Sequence, residues 1–417
     1  MLTRRAFLSS GGLALVATGV GGVPAFLTRA AQATPASGPF QKPKVLVGIF
    51  QRGAMDGLAA VQPLSDPHLA ALRPRLALSG ARRTDAAERL LDLDGRFGLH
   101  PALAPLAPHF ADGRLAVVHG VGSPVATRSH FDAQDFMETA VPGDRRARSG
   151  WLNRASGALG HEAAATPFRA VALTPALPVA LQGDAPALAV ARLDDLGVSG
   201  QAAAGQGLEA LYAQTARDVL GDSGGEAFEA VRLLEAARTD RLAPSAVEYP
   251  RSPLGRSLRQ IAQLIRGDVG LEIAFAETGG WDMHAQQGAA TGAFARRAGD
   301  LARSIDAFWR DLGPLRDRVV VLTMTEFGRT VAQNGSGGTD HGRASAFFVL
   351  GEGVDGGRVH GRVGALAPDA LADGRDLPVT TDFREVFAGL AGAHLGLDHA
   401  EALFPGWSGA PLELVRG

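Results

Sequence analysis

The chain has 417 residues, of which 46% are hydrophobic, so it can bury a large core in one or more domains. Its formal net charge is −2, it has no basic stripe and lysine is scarce, so neither nucleic acid nor an anionic membrane surface is indicated as a partner. Cysteine is absent, which excludes disulfides, thiolate metal ligands and a cysteine nucleophile, so a metal would need carboxylate, imidazole or hydroxyl ligands.

The first 33 residues have the pattern of an export signal. A twin-arginine motif at residues 3–8 precedes a weakly apolar, glycine-rich segment, and residues 31–33 form an Ala-x-Ala cleavage signal. The alternative is an uncleaved membrane anchor, but its glycines and Pro24 weaken such a helix and the run is short for a bilayer span. We expect export to the periplasm or beyond, no membrane span after cleavage, and a linker at 34–43.

Apolar runs that alternate with helical stretches predict an α/β fold, with a mostly parallel central sheet and helices on both faces. The principal strands are predicted at residues 44–50, 115–119, 271–276, 319–324 and 346–350. Helices are predicted after His100, after Ser129, at 207–220, at 225–237, at 254–265, from Asp282 onward and near Thr380. We expect a single domain over 44–417, with an insertion or cap around 151–250.

Polar side chains come directly after three of these strands, at the edge where open α/β sheets bind ligands. Asp56 follows the first strand, where the alternative is an Asp-Gly turn. Asp282 and His284 follow the strand at 271–276, and Asp282 could also cap the next helix. Glu326 and Arg329 follow the strand at 319–324. Because the carboxyl ends of parallel strands share one edge, we expect these side chains to meet.

A glycine-rich loop at 334–338 leads to the adjacent pair Asp340 and His341. Its glycines allow positive φ and a close backbone approach to a ligand. A carboxylate beside an imidazole suits zinc or another divalent metal. The alternative is that Asp340 caps a turn and His341 packs beside it.

Residues 128–130, Arg-Ser-His, stand ahead of a predicted helix. The Ser129 hydroxyl either caps that helix or serves as a nucleophile whose charge the helix dipole stabilises. Arg128 favours the second use, because guanidinium binds phosphate or sulfate oxygens as a fork. His130 could then assist the leaving group, and Thr127 is the other candidate nucleophile.

Four motifs resemble domain-of-unknown-function family 1501. They are RSHFDAQDFME at 128–138, GGWDMH at 279–284, TEFGRT at 325–330 and NGSGGTDHGRASAFFVLGEGVDGG at 334–357. The resemblance implies an exported bacterial protein allied to the alkaline phosphatase and sulfatase superfamily, with an alkaline phosphatase-like fold and a one- or two-metal centre. It assigns metal ligation to Asp56 and the two acid–histidine pairs, Asp282 with His284 and Asp340 with His341, and the nucleophile to Ser129.

Two departures from the superfamily pattern favour a single metal or a degenerate pocket. The first Asp and His are two residues apart instead of four, and no last histidine ligand is evident. The resulting hypothesis is an exported hydrolase of phosphate or sulfate esters that uses zinc, calcium or magnesium. Glu326 would act at its site, and Arg128 or Arg329 would neutralise substrate oxygens. The alternative is a non-catalytic exported binding or scaffold protein with a co-exported protein partner.

Overall fold

A nine-stranded, mostly parallel sheet organises the protein. The computed structural model describes residues 42–79, 85, 88–160, 166–193 and 245–416. The predicted signal segment, most of the linker and the helices predicted at 207–220 and 225–237 lie outside the described residues. In the described part, no helix combines the length and the apolar character that a membrane crossing requires.

The described strands and helices have definite bounds. The strands are β1 (Val45–Gln51), β2 (Val61–Pro63), β3 (Leu91–Asp92), β4 (Phe97–Leu99), β5 (Leu115–Gly122), β6 (Ala170–Ala172), β7 (Leu188–Ala189), β8 (Ile273–Thr278), β9 (Val319–Met324), β10 (Ser345–Leu350), β11 (Val359–His360) and β12 (Thr381–Asp382). The helices are α1 (Gly57–Ala60), α2 (Leu69–Leu72), α3 (Ala107–Ala111), α4 (His130–Thr139), α5 (Trp151–Ala158), α6 (Pro253–Gly267), α7 (Ala293–Leu312), α8 (Phe383–Ala393) and α9 (Ala400–Leu403).

The strand order of the main sheet is β11-β5-β10-β9-β1-β8-β6-β7, with β12 also paired to β5. Every pairing is parallel except the two that β10 makes, with β5 and with β9. Because β10 runs in the opposite direction, the chain between β9 and β10 stays at the carboxyl edge of the sheet. That loop carries Glu326, Arg329, Asp340 and His341 to the edge where β1 and β8 also end.

The sheet is packed on both faces, as the sequence predicts. Val45, Val47 and Ile49 of β1 point into one core, which also contains the apolar faces of α6 and α7. Leu46 and Phe50 point into the other core, which contains residues of α5 and α8. Side chains alternate between the two sides of a strand, so one strand of this kind serves two cores. The predicted α/β class with a mostly parallel sheet and helices on both faces is confirmed.

Part of the region around 151–250 belongs to the sheet itself. Ala170–Ala172 pairs in parallel with β8, and Leu188–Ala189 pairs in parallel with Ala170–Ala172. These residues therefore extend one edge of the main sheet and do not cover the carboxyl edge. Residues 194–244 lie outside the described part of the chain.

Candidate metal centre

Three imidazoles and one carboxylate meet at the carboxyl edge of the sheet. The Nε2 atom of His341 lies 3.0 Å from Nε2 of His130 and 2.9 Å from Nε2 of His284. Asp282 Oδ1 lies 2.9 Å from Nε2 of His284, 3.3 Å from that of His341 and 3.5 Å from that of His130. A tetrahedral zinc site with bonds of about 2.0–2.1 Å has ligand–ligand edges of about 3.3 Å. Three of them, His130 Nε2, His341 Nε2 and Asp282 Oδ1, have separations of 3.0, 3.3 and 3.5 Å that match this spacing and can share one ion, and His284 Nε2 lies beside the last two.

The outer nitrogen of each imidazole is held by an oxygen acceptor. The three contacts are His130 Nδ1 with Glu326 Oε1 at 2.8 Å, His284 Nδ1 with Asp340 Oδ1 at 3.0 Å, and His341 Nδ1 with the Arg128 carbonyl oxygen at 2.8 Å. Each Nδ1 must donate its hydrogen there, so the neutral ring presents a bare lone pair at Nε2. Lone pairs this close repel each other unless a cation or a proton lies among them. Oxygen-bound outer nitrogens are typical of histidines that ligate metals, so this donor set fits a transition ion.

The ligands reach this point from three separate segments. His130 is the first residue of α4, Asp282 and His284 lie in the loop after β8, and His341 lies between β9 and β10. The phenyl ring of Phe327 supports two of them, at 4.9 Å from the ring of His130 and 5.1 Å from that of His341. The side chains of Asp282 and His284 are 44% and 45% exposed, so one side of the centre faces solvent.

A close backbone contact joins two of these segments. A Cβ atom on Gly338 would lie 2.4 Å from the carbonyl oxygen of Met283, which no real side chain tolerates. The loop glycines were predicted to allow close approach to a ligand, but at Gly338 the approach is to the segment that carries Asp282 and His284. Asn334 strengthens this contact, because its side-chain nitrogen donates to the His284 carbonyl oxygen at 2.8 Å and to Asp340 Oδ1 at 3.1 Å.

Glu326 is a buried partner of His130. Its Oε1 accepts from His130 Nδ1, from the Gly53 backbone N–H at 2.8 Å and from Gln134 Nε2 at 2.9 Å. Burial acts to raise the pKa of Glu326, but the hydrogen bonds from His130 and Gln134 outweigh it and lower that pKa. The hydrogen bond to Glu326 in turn raises the pKa of His130, against the effect of burial. Glu326 is therefore an ionised partner that orients the imidazole of His130, and its predicted catalytic role stays a prediction.

Arg329 is buried and its donors are used within the protein, which corrects its predicted contact with substrate oxygens. The guanidinium donates to the carbonyl oxygens of Ala54 at 2.8 Å, of Gly53 at 2.6 Å and of Thr339 at 3.1 Å. It also donates to Asp282 Oδ1 at 2.6 Å. Burial acts to raise the pKa of Asp282, but this hydrogen bond and the nearby positive charge lower it, so the carboxylate is ionised.

Asp56 does not join the ligand group, which corrects its predicted role. The carboxylate is buried; Oδ2 accepts from Arg73 Nη1 at 2.8 Å and from Gln287 Nε2 at 2.8 Å. Its Oδ1 accepts from the backbone N–H of Ala59 at 3.1 Å, at the start of α1. Asp56 is unavailable as a metal ligand because Arg73, the residue after α2, forms an ion pair with it and compensates its charge.

Three other predicted site residues, Asp340, Ser129 and Arg128, make contacts within the protein. Asp340 holds the outer nitrogen of His284, and that hydrogen bond lowers the pKa of Asp340. Ser129 caps α4, because its Oγ accepts from the backbone N–H of Asp132 at 3.4 Å. The guanidinium of Arg128 donates to a carboxylate of the protein, Asp376, and the residue meets His341 through its backbone carbonyl.

The helix predicted from Asp282 begins later. It is α7, which starts at Ala293 after Gly292 as its N-cap. Asp282 is unavailable as a cap because its Oδ1 accepts from Arg329 and lies among the imidazoles. Residues 281–292 thereby remain a loop that can present two metal ligands.

The family model described as "Protein of unknown function (DUF1501)" matches residues 43–404. The chain belongs to this family. The predicted family is therefore confirmed, whereas the alliance of DUF1501 proteins with the alkaline phosphatase and sulfatase superfamily stays a prediction. None of the curated proteins matches this DUF1501 member.

Two solved structures are similar to this DUF1501 chain. One is the C-terminal periplasmic domain of EcEptC from Escherichia coli in complex with Zn, with 8% identity and a TM-score of 0.38 over 75% of this chain and 74% of that chain. The other is the PsFucS1 sulfatase from Pseudoalteromonas sp., with 13% identity and a TM-score of 0.32 over 78% of this chain and 65% of that chain.

Proposed function

We propose that this protein is an exported, metal-dependent hydrolase of phosphate or sulfate esters, with one divalent ion held by His130, Asp282 and His341 and with His284 beside them. The observation that supports the proposal is the convergence of three bare Nε2 lone pairs on a carboxylate oxygen, with each Nδ1 held by an oxygen. The two imidazole nitrogens of this group favour zinc over calcium or magnesium, which prefer oxygen ligands.

The bound ion would supply a Lewis acid for polarising an ester oxygen. The residues around it supply the rest of the arrangement. Glu326 and Asp340 fix the tautomers of His130 and His284, and Arg329 keeps Asp282 ionised and oriented. The exposed side of the centre, at Asp282 and His284, is where an anionic ester would approach.

A second candidate is a non-catalytic exported protein that binds metal and acts with a co-exported partner. If His284 also bound the ion, four protein ligands would complete a tetrahedral shell, which is typical of structural zinc sites, whereas catalytic sites keep a position for water or substrate. In that case, displacement of the exposed His284 would be needed to open a position for an ester oxygen.

Turnover by zinc-loaded protein separates these two functions. We expect hydrolysis of an aryl phosphate or an aryl sulfate, and loss of that activity in His341→Ala, because an inner ligand is removed. If the zinc-loaded protein hydrolyses neither ester while it retains one equivalent of metal, the non-catalytic function replaces the hydrolase.

The role of Ser129 needs a matched control, because the hydroxyl is also a helix cap. Ser129→Ala removes a cap and should cost about 1 kcal/mol of stability. Ser252→Ala removes the equivalent cap of α6, where Ser252 Oγ accepts from the Gly255 backbone N–H at 3.0 Å. A nucleophilic Ser129 predicts that only Ser129→Ala abolishes turnover. Equal, small effects of the two variants would contradict that role.

We also propose that residues 1–33 direct twin-arginine export to the periplasm or beyond, on the strength of their sequence pattern. Replacement of Arg4 and Arg5 by lysine should retain the precursor in the cytoplasm. Cell fractionation measures the result, and unchanged export of that double variant would contradict the proposal.

A further inference from the structure

A buried carboxylate, Asp376, holds two arginines at the rim of the metal centre. Asp376 is 0% exposed, and its Oδ2 accepts from Arg128 Nη2 at 2.7 Å. Its Oδ1 accepts from Arg375 Nε at 3.1 Å. The two arginine side chains remain 45% and 42% exposed, so each guanidinium is fixed at one end and open to solvent at the other.

Both arginines are also connected to the metal ligand His341. The backbone carbonyl of Arg128 accepts from His341 Nδ1 at 2.8 Å, and Arg375 Nη2 donates to the carbonyl oxygen of His341 at 2.9 Å. The Arg375 guanidinium is thus anchored to the residue that presents Nε2 to the centre, and the Arg128 guanidinium is joined to it through Asp376. Arg128 and Arg375 are therefore neighbours of the candidate metal centre through their contacts with His341.

The proposed chemistry needs exposed cations here, and Arg329 does not supply one because its donors are spent inside the protein. Guanidinium binds tetrahedral oxyanions through paired N–H groups, and a guanidinium that is already immobilised loses less entropy on binding. Arg128 and Arg375 have this immobilisation through Asp376. We propose that they form the subsite that receives the phosphate or sulfate group of the substrate. The inference rests on the proposed function for the identity of that substrate.

Asp373 competes for this subsite. Its carboxylate is 70% exposed and lies 3.5 Å from Arg128 Nη2. A bound oxyanion would therefore meet repulsion from Asp373 as well as attraction from the arginines. Its backbone φ is +54°, a left-handed conformation that asparagine also adopts readily. Asp373→Asn should consequently remove the charge and preserve the loop.

The subsite predicts changes of opposite sign in two variants. Binding of inorganic phosphate and of sulfate to zinc-loaded protein is measured by titration calorimetry. Arg375→Gln should weaken binding about tenfold, because a charge-assisted hydrogen bond is lost. Asp373→Asn should tighten binding about two- to fivefold, because a competing charge is removed. Arg310→Gln serves as the matched control, since it removes an exposed, ion-paired arginine from α7 and should leave binding unchanged.

Zinc content is measured in every variant, because Arg375 also contacts His341. If Arg375→Gln loses zinc, the test rests on Asp373→Asn alone, since the carboxylate of Asp373 lies beside Arg128 and is not one of the proposed metal ligands. Unchanged or weaker phosphate binding in Asp373→Asn would overturn the subsite. Calorimetry requires no turnover, so it tests the subsite separately from the proposed hydrolase activity. An active hydrolase could lack the predicted binding changes, and a protein that binds phosphate as predicted could lack ester turnover.

Discussion

The buried ion pair of Asp56 and Arg73 gives a direct test of the corrected role of Asp56. Both side chains are almost fully buried, and Arg73 also donates to the carbonyl oxygens of Val331 at 2.7 Å and of Thr330 at 2.8 Å. Asp56 further accepts from the side-chain amide of Gln287, which belongs to the same loop as Asp282 and His284. The pair therefore joins the segments that carry the metal ligands, and we expect it to stabilise the fold with or without metal.

The substitution Asp56→Asn keeps the size of the side chain and removes its charge. The guanidinium of Arg73 is then buried without a counter-ion, which should cost about 3–5 kcal/mol of unfolding free energy. A ligand role predicts a different result, because loss of a ligand removes only the increment of stability that metal binding adds. The two roles are therefore distinguished by the protein stripped of metal.

Urea unfolding of wild type and Asp56→Asn, each with zinc and after chelation, measures both quantities. We expect the variant to be destabilised by a similar amount in the two states. A variant with Asp56→Leu and Arg73→Met should recover much of the loss, because replacing both partners by apolar groups leaves no buried charge. Chelated Asp56→Asn that is as stable as chelated wild type would refute the ion-pair account.

Three further predictions rest on individual contacts. Glu326→Gln should weaken zinc affinity about 10- to 100-fold in a chelator competition, because His130 loses an ionised partner; unchanged affinity would contradict this role. Chelation should lower the midpoint of thermal unfolding, and zinc should restore it, because the ion binds only the folded ligand set; equal midpoints would count against a metal centre. Burial lowers the pKa of His119 to about 4 from 6.5, with its ring between the Val61 carbonyl oxygen and the Gly120 N–H. Between these pH values the unfolded chain therefore binds more protons than the folded chain. The contribution of neutral His119 to the free energy of unfolding is complete above pH 6.5, and about 3 kcal/mol of it is lost as pH falls toward 4. In chelated protein, His119→Asn should reduce the dependence of the free energy of unfolding on pH in this range. An unchanged dependence would show that other groups cause it.

The principal strands could be predicted from the sequence because they are continuous apolar runs of strand length. Asp282, His284 and His341 could also be placed after the correct strands, since the loops that leave parallel strands gather at one carboxyl edge. The antiparallel direction of β10 could not be predicted, because an apolar run has the same pattern whether its strand is parallel or antiparallel to its neighbours. The position of His341 was nevertheless predicted correctly, since the loop between β9 and β10 has both ends at the same edge.

The partner of each acid could not be predicted from the sequence. Asp56 and Asp282 are both acids after strands, and only the fold shows that Arg73 neutralises the first while imidazoles surround the second. His130 was predicted to assist a leaving group and to stand just ahead of a helix, whereas it is the first residue of α4, which Ser129 caps. Asp376 gave no local signal, because its importance lies in contacts with residues far away along the chain.

The central claim is that the imidazoles of His130 and His341 and the carboxylate of Asp282 hold a single divalent ion. Metal analysis of protein purified without chelator measures this most directly, with His341→Ala as the paired variant. We predict close to one equivalent of zinc per chain in the wild type and its loss in the variant. Wild type that contains no metal and takes up none from added zinc, or a His341→Ala variant with an undiminished equivalent, would contradict the claim.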